Sequence, residues 1–416
     1  MNEFENRVIE RFLQYVSVDT QSSDTSEATP STAKQLVLAE MLLEELKEFG
    51  LEDARIGSGG VVYASIAATE GCESAPAIGF IAHMDTSPDA PGASVKPQIV
   101  RYEGGDVVLN EDLGIVFSVE QFPEIEKYRG QEVIFTDGTT LLGADDKAGI
   151  AAVMEMVAFI QQHPEVPHAK LCIAFTPDEE VGRGTENFDL NEFGAHYAYT
   201  FDGGELGGLE FENFNAATAT VLIQGVGVHP GYAKDKMINA VRCATEFISS
   251  IPEEMSPECT SGREGFLHPH HVSGSVTEAE ISILIRDHDE KLFEEKKSLL
   301  SDILREMQQK HPKAEFILKI EDSYRNMRCY IDRTPKVLDI VRSAYRDAGI
   351  EPQEEPIRGG TDGAALSARG LPCPNIFAGG LNFHGIYECL PVPSLLKSVE
   401  VAIRLAELSA KVSSLK

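Results

Sequence analysis

Apolar and polar positions along the chain fall into two textures. Residues 33–49 repeat apolar side chains at helical spacing and stop at Gly50, which predicts an amphipathic helix. The apolar run 77–81 leads into His83 and predicts a short buried strand. Residues 146–163 predict a second helix, stopped by Pro164, and 170–175 and 195–201 predict two more strands that run into acidic residues. Strands separated by helices imply a largely parallel sheet with helices on both faces. From about residue 214 the pattern changes: strand 217–225, helix 235–249, alternating strand 278–286, long charged helix 289–309 and strand 316–320. That β-α-β-α-β block reads as an α+β insert with its sheet covered on one face. After Asn326 the first texture returns, with helix 335–348, strand 375–378 and helix 393–412. The expected fold is α/β in two domains: a mixed, mostly parallel sheet built from 1–213 and 326–416, interrupted by an α+β domain at 214–325.

A chain of 416 residues with 42% apolar content has material for two cores. Its 36 basic and 67 acidic residues give a formal charge of −31, which repels phosphate backbones and anionic bilayers. Nucleic acid and membrane are therefore not expected partners, and most of the acidity serves solubility. The seven cysteines are scattered, with no Cys-x-x-Cys pair, a pattern of reduced thiols. The N-terminal residues are charged and lack an apolar signal core, and no run approaches the roughly 20 apolar residues of a membrane span. The cytoplasm is the expected compartment.

Five short motifs carry candidate chemistry: His83-x-Asp85, Gly143-Ala144-Asp145-Asp146-Lys147-Ala148-Gly149, Pro177-Asp178-Glu179-Glu180, Phe201-Asp202-Gly203-Gly204 and Asn382-Phe383-His384-Gly385. Each has an ordinary explanation alone; Asp146, for one, reads equally well as a helix N-cap. All five fall at or just beyond the C-terminal ends of predicted strands, which in an open α/β sheet face one crevice. Histidines and carboxylates gathered there are costly unless a cation neutralises them. Imidazole and carboxylate without thiolate suit Zn²⁺, with Co²⁺ or Mn²⁺ as substitutes. Five such ligands serve two metals if one carboxylate bridges, at the roughly 3.5–4 Å spacing of two-metal hydrolytic sites.

These motifs resemble those of the co-catalytic zinc peptidases, the family that holds carboxypeptidase G and succinyl-diaminopimelate desuccinylase. The likeness runs nearly end to end, through Val228-His229-Pro230-Gly231, Ile285-Arg286-Asp287-His288-Asp289 and Arg358-Gly359-Gly360-Thr361-Asp362-Gly363. Asp202-Gly203-Gly204-Glu205-Leu206-Gly207, Glu212-Asn213-Phe214-Asn215 and the long segment 88–137 are similar to the tripeptide aminopeptidases within it. The resemblance implies two Zn²⁺ per subunit, with Asp145 bridging, His83 and Asp202 on one ion and Glu180 and His384 on the other. It makes Glu179 the general base and acid, and places Asp85 behind His83, accepting its second N–H. It implies a cis Asp145–Asp146 peptide, and an insert that acts as a lid and supplies His229 to the oxyanion. Arg286 and Arg358, and less directly Asn239, are candidates for the substrate carboxylate and its surroundings. Leu381, Ile386 and Tyr324-Arg325 depart from the family pattern and put side-chain preference in question. His268, His270 and His271 read as a solvated loop. The implied activity is metallo-aminopeptidase on tripeptides; a two-zinc N-acyl-amino-acid deacylase or carboxypeptidase, and a non-catalytic metal-binding protein, are the alternatives. A homodimer through the insert stays open.

Overall fold

The computed structural model describes residues 3–415. The chain divides into two compact units: Met1–Phe211, Cys329–Glu355 and Thr361–Lys416 form the first, and Glu212–Arg328 with Pro356–Gly360 the second.

The first unit is organised by a seven-stranded sheet in the order Arg55–Ile56, Val62–Ile66, Leu171–Thr176, Ile78–His83, Tyr197–Gly203, Asn375–Phe377, Leu209–Glu210. Its four central strands are parallel, and the outer ones are antiparallel. The strand Ile78–His83 is buried along its whole length, because alternate side chains enter cores on opposite faces. Ile78, Phe80 and Ala82 join the larger core with the helices Glu3–Val16, Gln35–Glu48, Ala144–Gln162, Lys336–Asp347 and Val392–Ser409. Ile81 faces a smaller core with Cys172, Ala198, Phe193 and Leu366. Ala144–Gln162 is buried on nearly all sides, which explains its apolar character around the full helix. The segment 88–137, for which no element was predicted, contributes the strands Gln98–Tyr102, Val107–Asn110, Ile115–Phe117 and Gln131–Phe135, and Gln131–Phe135 pairs with Cys389–Pro391 as well as with Gln98–Tyr102.

The second unit is a four-stranded antiparallel sheet, ordered Phe266–Gly274, Glu278–Asp287, Asn215–Gln224, Glu315–Tyr324. Period-two alternation sends Ala217, Ala219, Val221 and Ile223, with Ile281, Ile283 and Ile285, to one face. The helices Ala240–Ser249 and Glu290–Lys310 cover that face with Phe247, Phe293, Leu300 and Ile303. The strand Phe266–Gly274 corrects the expectation of a loop around His268, His270 and His271. It is an edge strand, and its register shifts between Pro269 and His271, two settings in which a sheet tolerates proline. Pro356–Gly360, which the sequence boundaries left outside the insert, joins this unit because the Ile357 N–H donates to Glu212 O at 2.8 Å. Among the described residues no helix is long and apolar enough to cross a membrane.

Candidate metal centre

The predicted residues of the first unit gather at the C-terminal edge of its parallel strands. His83 is the last residue of Ile78–His83, Asp202 lies inside the end of Tyr197–Gly203, and Glu179 and Glu180 follow Leu171–Thr176. Ile78–His83 pairs with Tyr197–Gly203 on one side and Leu171–Thr176 on the other, so chain direction alone brings these side chains to one crevice. Asp145 arrives from the other side, at the start of Ala144–Gln162. Gly143, at φ 82°, makes the left-handed turn that aims it there, and the Asp145–Asp146 peptide is cis, as the resemblance implied.

Asp145 stands between the two histidines. His83 Nε2 lies 2.9 Å from Asp145 Oδ1 and 3.2 Å from Asp202 Oδ1. His384 Nε2 lies 3.3 Å from Asp145 Oδ2 and 2.9 Å from Glu180 Oε2. Two groups of three result, His83–Asp145–Asp202 and Asp145–Glu180–His384, each with ligand atoms within 4.8 Å of one another. Glu180 Oε1 is buried and has no hydrogen-bond partner. An orphaned carboxylate oxygen beside two convergent sets of hard and borderline donors is what a bound cation would satisfy, so each group could hold a metal ion.

The charges in this crevice bear on one another. Burial disfavours protonation of His83, but the carboxylates of Asp202, Asp145 and Asp85 outweigh it and raise its pKa well above the ordinary range. Hydrogen bonds to Asp145 and Glu180 push His384 up to about 11. Burial, reinforced by neighbouring carboxylates, lifts Asp202 to about 8 and holds Glu179 well above a normal glutamate. These shifts all follow from carboxylates gathered out of water, a repulsion that a metal dication would relieve.

The neighbours Glu179 and Glu180 are separated by geometry. Glu180 belongs to the group with His384, whereas Glu179 belongs to neither. Asp85, fully buried, spans their main chain: Oδ1 accepts the Glu179 N–H at 3.0 Å and Oδ2 the Glu180 N–H at 3.2 Å. The Nδ1 of His83 has its nearest acceptor, at 3.0 Å, in the backbone carbonyl of Asp85, while the Asp85 carboxylate is at 3.5 Å, beyond a good hydrogen bond. Asp146 combines a cap-like bond from the Gly149 N–H with one from the His83 N–H, both at 3.1 Å.

The other predicted residues belong to the second unit. His229 is exposed, packs its ring 5.5 Å from that of Tyr232, and accepts the Gly231 N–H at Nδ1. Its proton is therefore on Nε2 when the ring is neutral. Asn239 caps the helix Ala240–Ser249 by accepting the Arg242 N–H. Arg286 donates to the carbonyls of Ala217 and Ile285 and stacks over Tyr324. Arg358 donates to the carbonyls of Gly262 and Glu264 and to Thr260, and stacks over Phe214 and Phe266. Each has a structural occupation within its own unit.

Sequence reasoning missed two residues behind the centre. Glu388 sends its buried carboxylate to the main chain beside Asp145. Asn375 accepts the Asp202 N–H at 3.2 Å and the Thr200 hydroxyl at 2.9 Å, and donates to Glu210 at 2.7 Å. A charge set directly before the apolar pair Cys389-Leu390 is the one local signal for Glu388.

Residues 211–315 match the peptidase dimerisation domain family. Peptidase T of Parabacteroides distasonis is 52% identical over 406 residues, covering 98% of this chain and all of that one. Peptidase T of Clostridium acetobutylicum is 50% identical over 405 residues, covering 97% and 99%. Among solved structures, aminopeptidase PepT from Bacillus cereus superposes with a TM-score of 0.74 at 21% identity, and a tripeptidase from Staphylococcus aureus with 0.76 at 21%, each over 98% of this chain and 99% of the other. Identity of this extent over the whole length means that the chain belongs to the peptidase T family and is a peptidase.

Proposed function

We propose that this chain is a two-zinc aminopeptidase that releases the N-terminal residue of tripeptides. The observation that carries the reading is the position of Asp145, whose two oxygens each face a different histidine, as a bridging carboxylate must. His83 and Asp202 complete one set and Glu180 and His384 the other. Two zinc ions held there, with cobalt or manganese as substitutes, would supply Lewis acidity and an acidified water.

The chain's own residues divide the remaining work. Glu179, free of both metal groups, accepts the proton of the attacking water on its carboxylate and returns it to the leaving amine. Asp85 fixes the main chain of Glu179 and Glu180 together, so the base and the ligand keep a constant spacing. The orientation of the His83 imidazole follows from the Asp85 carbonyl, which takes the Nδ1 proton and leaves the Nε2 lone pair for the centre. His229, with its proton on Nε2, serves as donor to the tetrahedral oxyanion, from its own chain or from a partner. Arg286, Arg358 and Asn239 are the weaker candidates for the substrate carboxylate, since each already has partners. The match of 211–315 to a dimerisation domain supports a homodimer through the second unit, and the scattered reduced cysteines support the cytoplasm.

The test is mass spectrometry of tripeptide, dipeptide and N-acyl-amino-acid digests, with and without a chelator. Release of the N-terminal residue from tripeptides, abolished by chelation and restored by zinc, is the expected result. Hydrolysis confined to acyl amino acids or to C-terminal residues would replace this reading with a related amidohydrolase.

A further inference from the structure

The loop that presents His384 is tied to the loop that presents Asp145 through one side chain. Leu381 and Cys389 close the His384 loop by exchanging hydrogen bonds at 2.9 and 3.0 Å. Within it Asn382 and His384 both have positive φ, 57° and 63°, held by the bond from the Asn382 amide to Tyr387 O and from the Glu388 N–H to Gly385 O. Glu388 sits at the base of this loop, 1% exposed. Its Oε2 accepts the N–H groups of Leu142 and Gly143, both at 2.7 Å, and its Oε1 accepts the N–H of Asp145 at 3.0 Å.

We infer that Glu388 is a positioning residue of the metal centre, whose buried carboxylate locks the Asp145 loop to the His384 loop and so sets the geometry of the bridging carboxylate. The inference rests on the two-metal reading proposed above. A carboxylate removed from water is stable only while its acceptor sites are filled, and here three main-chain donors from one loop fill them. Those bonds act on the peptide units immediately before the Asp145 side chain. They fix its Cα, and with it the directions in which Oδ1 and Oδ2 meet His83 and His384. The same residue is four positions from His384 on a loop closed at its base, so the lock links both metal groups.

A plain loop staple would lower stability and leave the folded protein's metal affinity alone; a positioning residue lowers affinity in a folded chain. Glu388→Gln distinguishes the two. The glutamine carbonyl can still accept Leu142 and Gly143, but its NH₂ group is then set against the Asp145 N–H. Zinc stoichiometry and Kd would be measured by competition with a chromogenic chelator, alongside circular dichroism of the metal-free chain. We expect a folded variant whose zinc affinity falls roughly 10- to 100-fold. A folded variant that binds both ions as tightly as wild type overturns the inference while the two-metal reading stands. Wild type that binds no zinc overturns both. If Glu388→Gln does not fold, Glu388→Asp, which keeps the charge but withdraws it by one methylene, is read in the same assay: weakened binding supports the lock and unchanged binding overturns it.

Discussion

Asp85→Asn separates two roles that one side chain could play. In the first, the carboxylate orients His83; in the second, it holds the Glu179–Glu180 main chain. The geometry favours the second, because the His83 Nδ1 has the Asp85 carbonyl at 3.0 Å, which substitution leaves in place, and the carboxylate only at 3.5 Å. The two main-chain bonds, at 3.0 and 3.2 Å, each need one carboxylate oxygen. Asparagine offers one oxygen and one NH₂, so one buried N–H faces another donor and the surviving bond loses its charge assistance. An unsatisfied buried donor costs about 1–3 kcal/mol and the lost charge assistance about 1 kcal/mol more, giving a stability loss of about 3 kcal/mol in the metal-free chain. Misplacement of Glu179 should lower kcat roughly 10- to 100-fold. Denaturant unfolding gives the first quantity, and hydrogen exchange at the Glu179 and Glu180 amides localises it. Exchange should accelerate there while metal stoichiometry stays at its wild-type value. Loss of bound metal with exchange unchanged at both amides would refute the reasoning and restore Asp85 as the orienting partner of His83.

Three further outcomes follow from particular contacts. Glu179→Ala should retain both metals, because Glu179 belongs to neither group, while kcat falls roughly 10²- to 10⁴-fold; a variant as active as wild type removes it as the base. Gly149→Ala should destabilise by about 3 kcal/mol, since the new Cβ would lie 2.1 Å from Phe201 O and 2.3 Å from Asp146 Oδ1; a wild-type melting temperature would contradict that close approach. Glu210→Gln should change the pH profile of stability. Burial holds the folded Glu210 carboxyl at about 7 against an ordinary 4.5, so between those pH values the unfolded chain releases a proton that the folded chain keeps, and stability falls as pH rises. At about 1.36 kcal/mol per pH unit, and discounted for the side chain's partial exposure, the loss is on the order of 2 kcal/mol, complete above pH ~7. The glutamine variant lacks this slope, and parallel pH profiles for the two proteins would refute it.

Local signals carried most of the architecture. Gly50 adopts the left-handed conformation that ends Gln35–Glu48, and Pro164 follows the end of Ala144–Gln162, so both helices lie within two residues of expectation. Where a signal was absent or ambiguous, the reading slipped. The helix expected from residue 235 starts at Ala240, because Asn239 caps it and Pro230–Tyr232 forms a separate turn. The strand Phe266–Gly274 was hidden by Pro269, which an edge position and a register shift accommodate. The strands within 88–137 are short and only partly buried, so their alternation is weak.

The centre was legible for a different reason. His83, Asp145, Glu180 and Asp202 each stand at the junction of an element with a loop, and the parallel topology turns that shared position into proximity. The contacts behind them have no such mark, because most of the partners are peptide groups. Glu388 meets Leu142 across 246 residues of sequence, and Asp85 meets Glu179 across 94, through N–H groups that every non-proline residue possesses. A side chain that grips main chain imposes no residue type on its partner, so no complementary motif appears. In this centre the sequence exposes the groups that would meet metal and substrate, and Asp85 through its motif, whereas Asn375, Glu388 and the main-chain grip of Asp85 become intelligible only once the backbone they hold is in view. Disturbing those three should then alter metal affinity and turnover through geometry, with the proposed ligands and base all still present.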